Sequence, residues 1–440
     1  MTDGRVVHIV HCVDTEGPLA EAPPRPGVHE WRTVFPRPLP DFTTADMDAV
    51  IAAHRPAVLG SWEGISSMLA VATSDARRMA LPDSAGNGWV FNWFCMDHVG
   101  FVDNPRGRAM GMHAVFDFYR DLVDAQGRGD GLHWHFHPMS TYGEANKCAT
   151  SYLNSPGLYE ILGRRVLDHR WFPRCNRPGF QDERPDSHWF LEQWIPFDYG
   201  NIAYRSLDEE ANPDLAAGRF SDWRWAPDDW RTYHPDPHCH QREGTCRRKI
   251  ARCLNVLNRF SNLDEVEMEK AFRRAAEGLP TLVSFASHDW RDLDIEMAYV
   301  QHLLRLMTRR FPDVKFRYGE AVEAFNTVHP TPAAPAIKLR CALSFGDDAR
   351  PRRLTIRPEQ GRIFGSQPFL AVRTRSRKII HDNLNYWTSL EDFHYVFDDQ
   401  SIEPDDVKTV GVAVNDAAGN QSIHVVEIDE VAAPGAMVEF

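Results

Sequence analysis

The sequence predicts an α/β chain in two parts, a parallel sheet or (β/α) barrel over residues 1–330 and a small all-β domain over residues 336–440. Three observations lead there. Short apolar runs alternate with amphipathic helical periodicities as far as about residue 326. Thr331-Pro332-Ala333-Ala334-Pro335 then reads as a Pro/Ala linker. Beyond it no long helical pattern survives, and short strand-like runs separated by turn residues take over.

In the first part the strand candidates are Val6–Val13, Ala57–Gly60, Gly88–Met96, Gly131–His137, Phe197–Ala203, Thr281–Ser287 and Val314–Tyr318. Amphipathic helices are expected at Asp46–His54, His113–Gln126, Leu158–His169 and Leu293–Arg310, where apolar residues recur at helical spacing. Cys246–Phe260 also reads as a helix, with Cys246 and Cys253 on one buried face. In the second part the strand candidates are Ile337–Phe345, Arg353–Arg357, Pro368–Arg373, Val396–Phe397, Val407–Asn415 and Ser422–Ile428. The stretch Val412–Asn420 followed by a strand resembles the last hairpin of bacterial immunoglobulin-like modules, so this part is expected to be an immunoglobulin-like sandwich.

At 440 residues the chain is long enough for two cores. It is 43% hydrophobic and 25% charged, the balance of a soluble globular protein. A formal net charge of −13 argues against a nucleic-acid or anionic-membrane partner. No apolar stretch of about 18 residues is present, so no membrane span is expected. The N-terminus enters its first strand without a secretory leader, and eight cysteines lack any CxxC pair. Both features lead to the expectation of a cytoplasmic protein.

The first candidate for chemistry is Asp14-Thr15-Glu16-Gly17, where an apolar strand meets a Gly-Pro turn. In an extended strand the carboxylates at i and i+2 face one way, at the end where parallel α/β folds keep their sites. Two like charges so close call for a cation, a shared proton, or both. The second is His133-Trp134-His135-Phe136-His137, which closes another apolar run. If it stays extended, all three imidazoles face one side; if it bends, His133 and His137 still converge and His135 need not. The third is Arg174-Cys175-Asn176-Arg177-Pro178-Gly179, whose Arg on a turn can fix a carboxylate. The fourth is the strand Thr281–Ser287, which delivers His288 and Asp289 at its end. His234, His238, Cys239 and His240 form a further cluster of ligand-type residues.

Taken in this order, the four segments resemble the motifs of the polysaccharide deacetylase family, whose catalytic (NodB homology) domain is a metal-dependent distorted (β/α) barrel. The resemblance covers roughly residues 5–326. It departs from the family's common form in having Asp-x-Glu in place of two adjacent aspartates, and Trp134 after His133. It implies a hydrolase that removes an N-acyl group, with N-acetyl the expected one, from an amino sugar or carbohydrate precursor. On this resemblance Glu16, His133 and His137 hold one divalent ion, zinc being natural for two imidazoles and a carboxylate. Asp14 is then the base, Arg177 its orienting partner, and His288 the acid for the leaving amine. Trp223, Trp225 and Trp230, with Trp134, are candidates to stack on a sugar ring.

Other readings stay open. A small non-carbohydrate amide fits the same chemistry, and a barrel that binds carbohydrate without turnover fits the same motifs. His135-x-His137 with Glu144 loosely resembles a cupin, and His-x-His occurs in amidohydrolase barrels. A cupin is at odds with the helical pattern at Leu158–His169, and an amidohydrolase would carry His-x-His on the first strand.

Overall fold

The computed structural model describes residues 4–18, 39–54, 59–98, 114–138, 151–153, 155, 157–204, 222–258 and 261–440. Its first ten strands are β1 (Val6–Thr15), β2 (Phe91–His98), β3 (Gly131–His137), β4 (Cys175–Pro178), β5 (Phe197–Asn201), β6 (Pro235–Asp236), β7 (Cys239–Glu243), β8 (Lys249–Asn255), β9 (Thr281–His288) and β10 (Lys315–Tyr318). Seven of them, β1-β2-β3-β4-β5-β8-β9, form a closed parallel barrel, because β9 pairs back onto β1. The first half of β1 also pairs with β10, and its second half with β2. β6 and β7 form a separate two-stranded ribbon.

Closure explains why these strands read as continuous apolar runs rather than as alternating ones. Val10, Cys12, Phe94, Cys175, Tyr199, Ala251 and Cys253 share one core cluster with Ala321, Phe325 and Val328 of the helix Ala321–Val328. That helix meets the barrel at residues that begin their strands. The Asn92 side chain accepts from the Ala321 amide, and Phe197 stacks on Phe325 at 5.0 Å. The N-terminal mouth is therefore filled with apolar side chains, and polar chemistry is left to the C-terminal ends.

Several expected elements shift. Leu59 and Gly60 are not strand, and Ala57 lies outside the described residues. The segment read as a helix at Cys246–Phe260 contains β8. Within it Arg248 is buried between Glu183 (2.7 Å) and Asp198 (2.5 Å). Arg252 is buried against Glu267 (2.6 Å). Charges neutralised inside the fold cannot be told from surface charges in a single sequence. The Arg177 segment, read as a turn, is the short strand β4. Among the described residues no helix is long and apolar enough to cross a membrane.

A second compact unit gathers Thr331–Phe440 with Tyr152–Arg174 and Asp186–Pro196. Its strands are β11 (Lys338–Phe345), β12 (Pro351–Gln360), β13 (Phe369–Thr374), β14 (Ile379–Asp382), β15 (Asn385–Tyr386), β16 (Phe393–Val396), β17 (Val407–Asn415), β18 (Gln421–Glu427) and β19 (Met437–Glu439). They form two antiparallel sheets, β15-β16-β12-β11-β19 and β14-β13-β17-β18. Both contribute to one core that includes Leu343, Leu354, Ile356, Val372, Val410 and Val412. The other face of β13 and β17 is covered by the helix Gly157–His169 and by Trp194. Gly411 allows the close approach: a Cβ there would lie 2.8 Å from Leu167 and 2.9 Å from Val166. Gly411→Val is therefore expected to destabilise this unit by about 1–3 kcal/mol, the usual cost of overpacking. Urea unfolding followed through the unit's aromatic signal checks this, and an unchanged midpoint would mean that the helix is not seated there.

Candidate metal centre

The site starts from the end of β1. Val10 and Cys12 point into the barrel, so Asp14, two residues on, does too. The chain then turns at Gly17, whose φ of 66° is left-handed and suits glycine. Asp289, just past β9, holds that turn: its carboxylate accepts from the Glu16 amide (2.9 Å) and from the Gly17 amide (2.7 Å). The Tyr119 hydroxyl donates to the same carboxylate at 2.7 Å. Burial pushes the Asp289 carboxyl up to about 6, against the lowering effect of these three donors. The sequence placed Asp289 in a motif without giving it a role. A residue that clamps backbone leaves no signal in a single sequence.

On β3, His133, His135 and His137 share the inward face, and the strand remains extended to His137. Depth separates them. His133 lies lowest, with Nε2 at 3.1 Å from Glu320 Oε1 and 3.3 Å from Asn92 Oδ1, near the filled mouth. His135 and His137 lie higher, with their Nε2 atoms 2.8 Å apart and rings at 78°. His137 Nε2 is 4.0 Å from Glu16 Oε1. Glu16, His135 and His137 thus form a buried group whose donor atoms all lie within 4.8 Å of one another, and it could hold a metal ion. The converging group contains His135 where the expected set of Glu16, His133 and His137 has His133. The reason is the extended strand: neighbours at i+2 reach one level of the barrel, whereas i and i+4 are roughly 13 Å apart along it.

The donor chemistry suits a cation. His135 Nδ1 donates to the Arg177 carbonyl at 2.7 Å, which leaves Nε2 as the bare nitrogen facing His137 and Glu16. Burial, with the nearby Arg177 charge, lowers the His135 imidazole to about 3, so it stays neutral as a ligand must be.

The Arg177-Pro178-Gly179 segment supports the site in three ways. The Arg177 guanidinium pairs with Asp14 Oδ2 at 3.0 Å. Its carbonyl fixes the His135 ring. Gly179 clears His137, because a Cβ there would lie 2.7 Å from the imidazole ring. Phe180 follows with φ of 55° and packs edge-on against His137 at 4.6 Å.

Asp14 is buried and its carboxyl is pushed up to about 6, chiefly by burial, while Arg177 and then His288 pull it down and Glu16 pushes it further up. Its Oδ1 atom has no hydrogen-bond partner among the described residues. His288, at the end of β9, is partly exposed and brings Nε2 to 3.9 Å from Asp14 Oδ2. Asp14, Glu16, His137, Arg177 and His288 are therefore brought together; His133 is one level removed.

The expected tryptophans are not. Trp134 alternates with the histidines, stacks on Phe136 and donates to Asp97 at 3.0 Å, fully buried. Trp223 is buried and donates to the Gln181 carbonyl, and Trp230 is buried and donates to the Glu267 carbonyl. Trp225 is 74% exposed and lines a separate hollow with Asp228 and Gln241. Trp230→Ala should accordingly cost about 3–5 kcal/mol of stability, as a buried aromatic does. A thermal melt checks it; unchanged stability would return Trp230 to the list of ligand-facing residues. His234, His238, Cys239 and His240 form no converging group among the described residues, and Glu144 lies outside them.

No protein-family model matches this sequence, and no curated protein matches it either.

Proposed function

We propose that the chain is a metal-dependent amide hydrolase of the polysaccharide deacetylase type, cleaving an N-acyl group from its substrate. The observation that carries this is Asp14: a buried carboxylate pinned through Oδ2 by Arg177, with Oδ1 left as an open acceptor beside the Glu16, His135 and His137 group. A divalent ion held by those three residues, zinc by the nature of its donors, would supply Lewis-acid polarisation of the amide carbonyl and a more acidic water. Asp14 Oδ1 takes the proton of the attacking water. Arg177 keeps Asp14 in one orientation and favours its charged form. His288 delivers a proton from its ring nitrogen to the departing amine. Asp289 and Tyr119 hold Glu16 in register through its backbone.

An N-acylated amino sugar is the substrate implied by the family resemblance. With Trp134, Trp223 and Trp230 in the core, no aromatic platform from that set supports it, and a small non-carbohydrate amide is the second reading. The segments that leave the C-terminal ends of β1, β2, β3 and β5 lie largely outside the described residues.

The test is acyl release from N-acetylglucosamine, N-acetylated chito-oligosaccharides and small N-acetyl amines. It is run on the purified protein, on chelator-treated protein, and after zinc or cobalt is restored. Metal-dependent release from any of them supports hydrolysis, and the preferred substrate selects the class. Metal binding without release from any substrate would favour the non-catalytic binding protein.

A further inference from the structure

The exposed face of the sheet β15-β16-β12-β11-β19 carries a hollow of about 390 Å³, lined among others by Arg340, Ala342, Ser344, Arg353, Arg357 and Trp387. Strand register explains its shape. Ala342 pairs with Thr355 and Ser344 with Arg353, while Leu343, Leu354 and Ile356 point the other way into the core. The small side chains of Ala342, Ser344 and Thr355 make a floor at mid-sheet. Long side chains stand around it: Arg340 and Arg357 at one end, Arg353 and Trp387 at the other, with Met437 and Glu439 along β19.

The charge of this hollow runs against that of the chain. Among the described residues three guanidiniums and a single carboxylate line it, in a protein of net charge −13. Arg340 is paired with Glu439, and Arg357 meets Asp392 only at 3.5 Å. Arg353 has no carboxylate partner among the described residues, and its Nε has no hydrogen-bond partner. Its guanidinium instead lies over the Trp387 ring at 4.4 Å, and Trp387 is still 40% exposed. His394 packs on Trp387 with its own Nδ1 unpaired. An unneutralised guanidinium held by an aromatic ring is prepared for an oxyanion. The indole beside it offers an apolar surface to a ring; the Ser344 and Thr355 hydroxyls donate to the Arg353 and Ala342 carbonyls, each at 3.3 Å, and serve as floor.

We infer that this sheet face is a binding site for an acidic saccharide, whose carboxylate or sulfate pairs with Arg353 and Arg357 while a sugar ring lies against Trp387. A nucleic-acid strand would suit the same guanidiniums, but the acidity of the chain as a whole opposes a polyanion of that charge density.

Calorimetric titration of the full-length protein tests this. The probes are tetragalacturonate, its methyl-esterified form, a sulfated neutral tetrasaccharide and a short oligothymidylate. The uronate or the sulfated sugar is expected to bind and the ester not to, and whichever binds identifies the anion. Arg353→Gln and Trp387→Ala should each weaken binding by about tenfold or more, the scale of one lost charge-assisted contact. Arg128→Gln, at a surface remote in sequence from the hollow, should leave it unchanged. Arg357→Gln replaces Trp387→Ala if the latter lowers the melting temperature. The proposal is overturned if no saccharide binds, if the ester binds equally well, if oligothymidylate binds more tightly, or if the variants bind like the parent.

Discussion

Asp14→Asn is expected to lower the turnover of the proposed amide hydrolysis by about 10²–10⁴-fold while the fold and the capacity to hold a metal remain. Asparagine keeps the shape, and its single oxygen can still accept from Arg177, but an amide NH2 then stands in the place of Asp14 Oδ1 and cannot take a proton from water. Glu16→Gln should behave differently, because Glu16 and not Asp14 converges with the two imidazoles. Its expected outcome is loss of the metal, with activity falling as a consequence. The two variants are separated by metal analysis together with kcat at saturating metal. If Asp14→Asn strips the metal and Glu16→Gln retains it, the two carboxylates exchange roles. If Asp14→Asn keeps full turnover, the base lies elsewhere. Removing Arg177 is a further check on the pairing. Arg177→Met leaves a buried carboxylate without its partner and should cost about 3–5 kcal/mol, part of which the Asp14→Asn/Arg177→Met double variant recovers.

How much of this was legible follows from what kind of information each feature needs. The carboxylates of β1 were legible because period-two alternation and a Gly-Pro turn are local. A parallel sheet or barrel was legible through repeated alternation of apolar runs with helices, and the antiparallel sheets through their turn-rich texture; closure itself is seen only in the β1–β9 pairing. The strand β8 was not: the spacing of Cys246 and Cys253 reads as one face of a helix, and the partners that bury Arg248 and Arg252, namely Glu183, Asp198 and Glu267, are distant in sequence. The choice between His133 and His135 was also beyond the sequence. All three histidines share one face, and which level each reaches depends on the stagger of neighbouring strands. The helix Gly157–His169 follows β3 in the chain, as a barrel helix would, yet it packs on β13, β14 and β17. Its apolar face is readable, but the surface that face meets is not. Trp223 and Trp230 illustrate the same gap from the other side, since an aromatic cluster reads alike whether it lines a pocket or fills a core.

His135→Ala is expected to lower metal affinity by more than about 100-fold, whereas His133→Ala leaves the metal in place. A change merely in the hydrogen bonding of a ligand costs 10–100-fold, so loss of the ligand itself should exceed that. The contrast between two histidines of one strand is the sharpest test of the site, because both face the barrel interior and both are buried. His133 makes its contacts to Glu320 and Asn92 at the filled mouth, so its removal should appear as lost stability. His135 has its Nδ1 committed to the Arg177 carbonyl and its Nε2 directed at His137, so its removal should appear as lost metal. Elemental analysis of each purified variant, paired with a thermal melt with and without chelator, reads both quantities. The parent and His133→Ala should melt at a lower temperature when chelated, and His135→Ala should not respond, since a protein that holds no metal gains nothing from it. If His133→Ala is the variant that comes out metal-free, the ion sits one level deeper, between His133, Glu320 and Asn92. The chemistry assigned to Asp14 would then lose its neighbour.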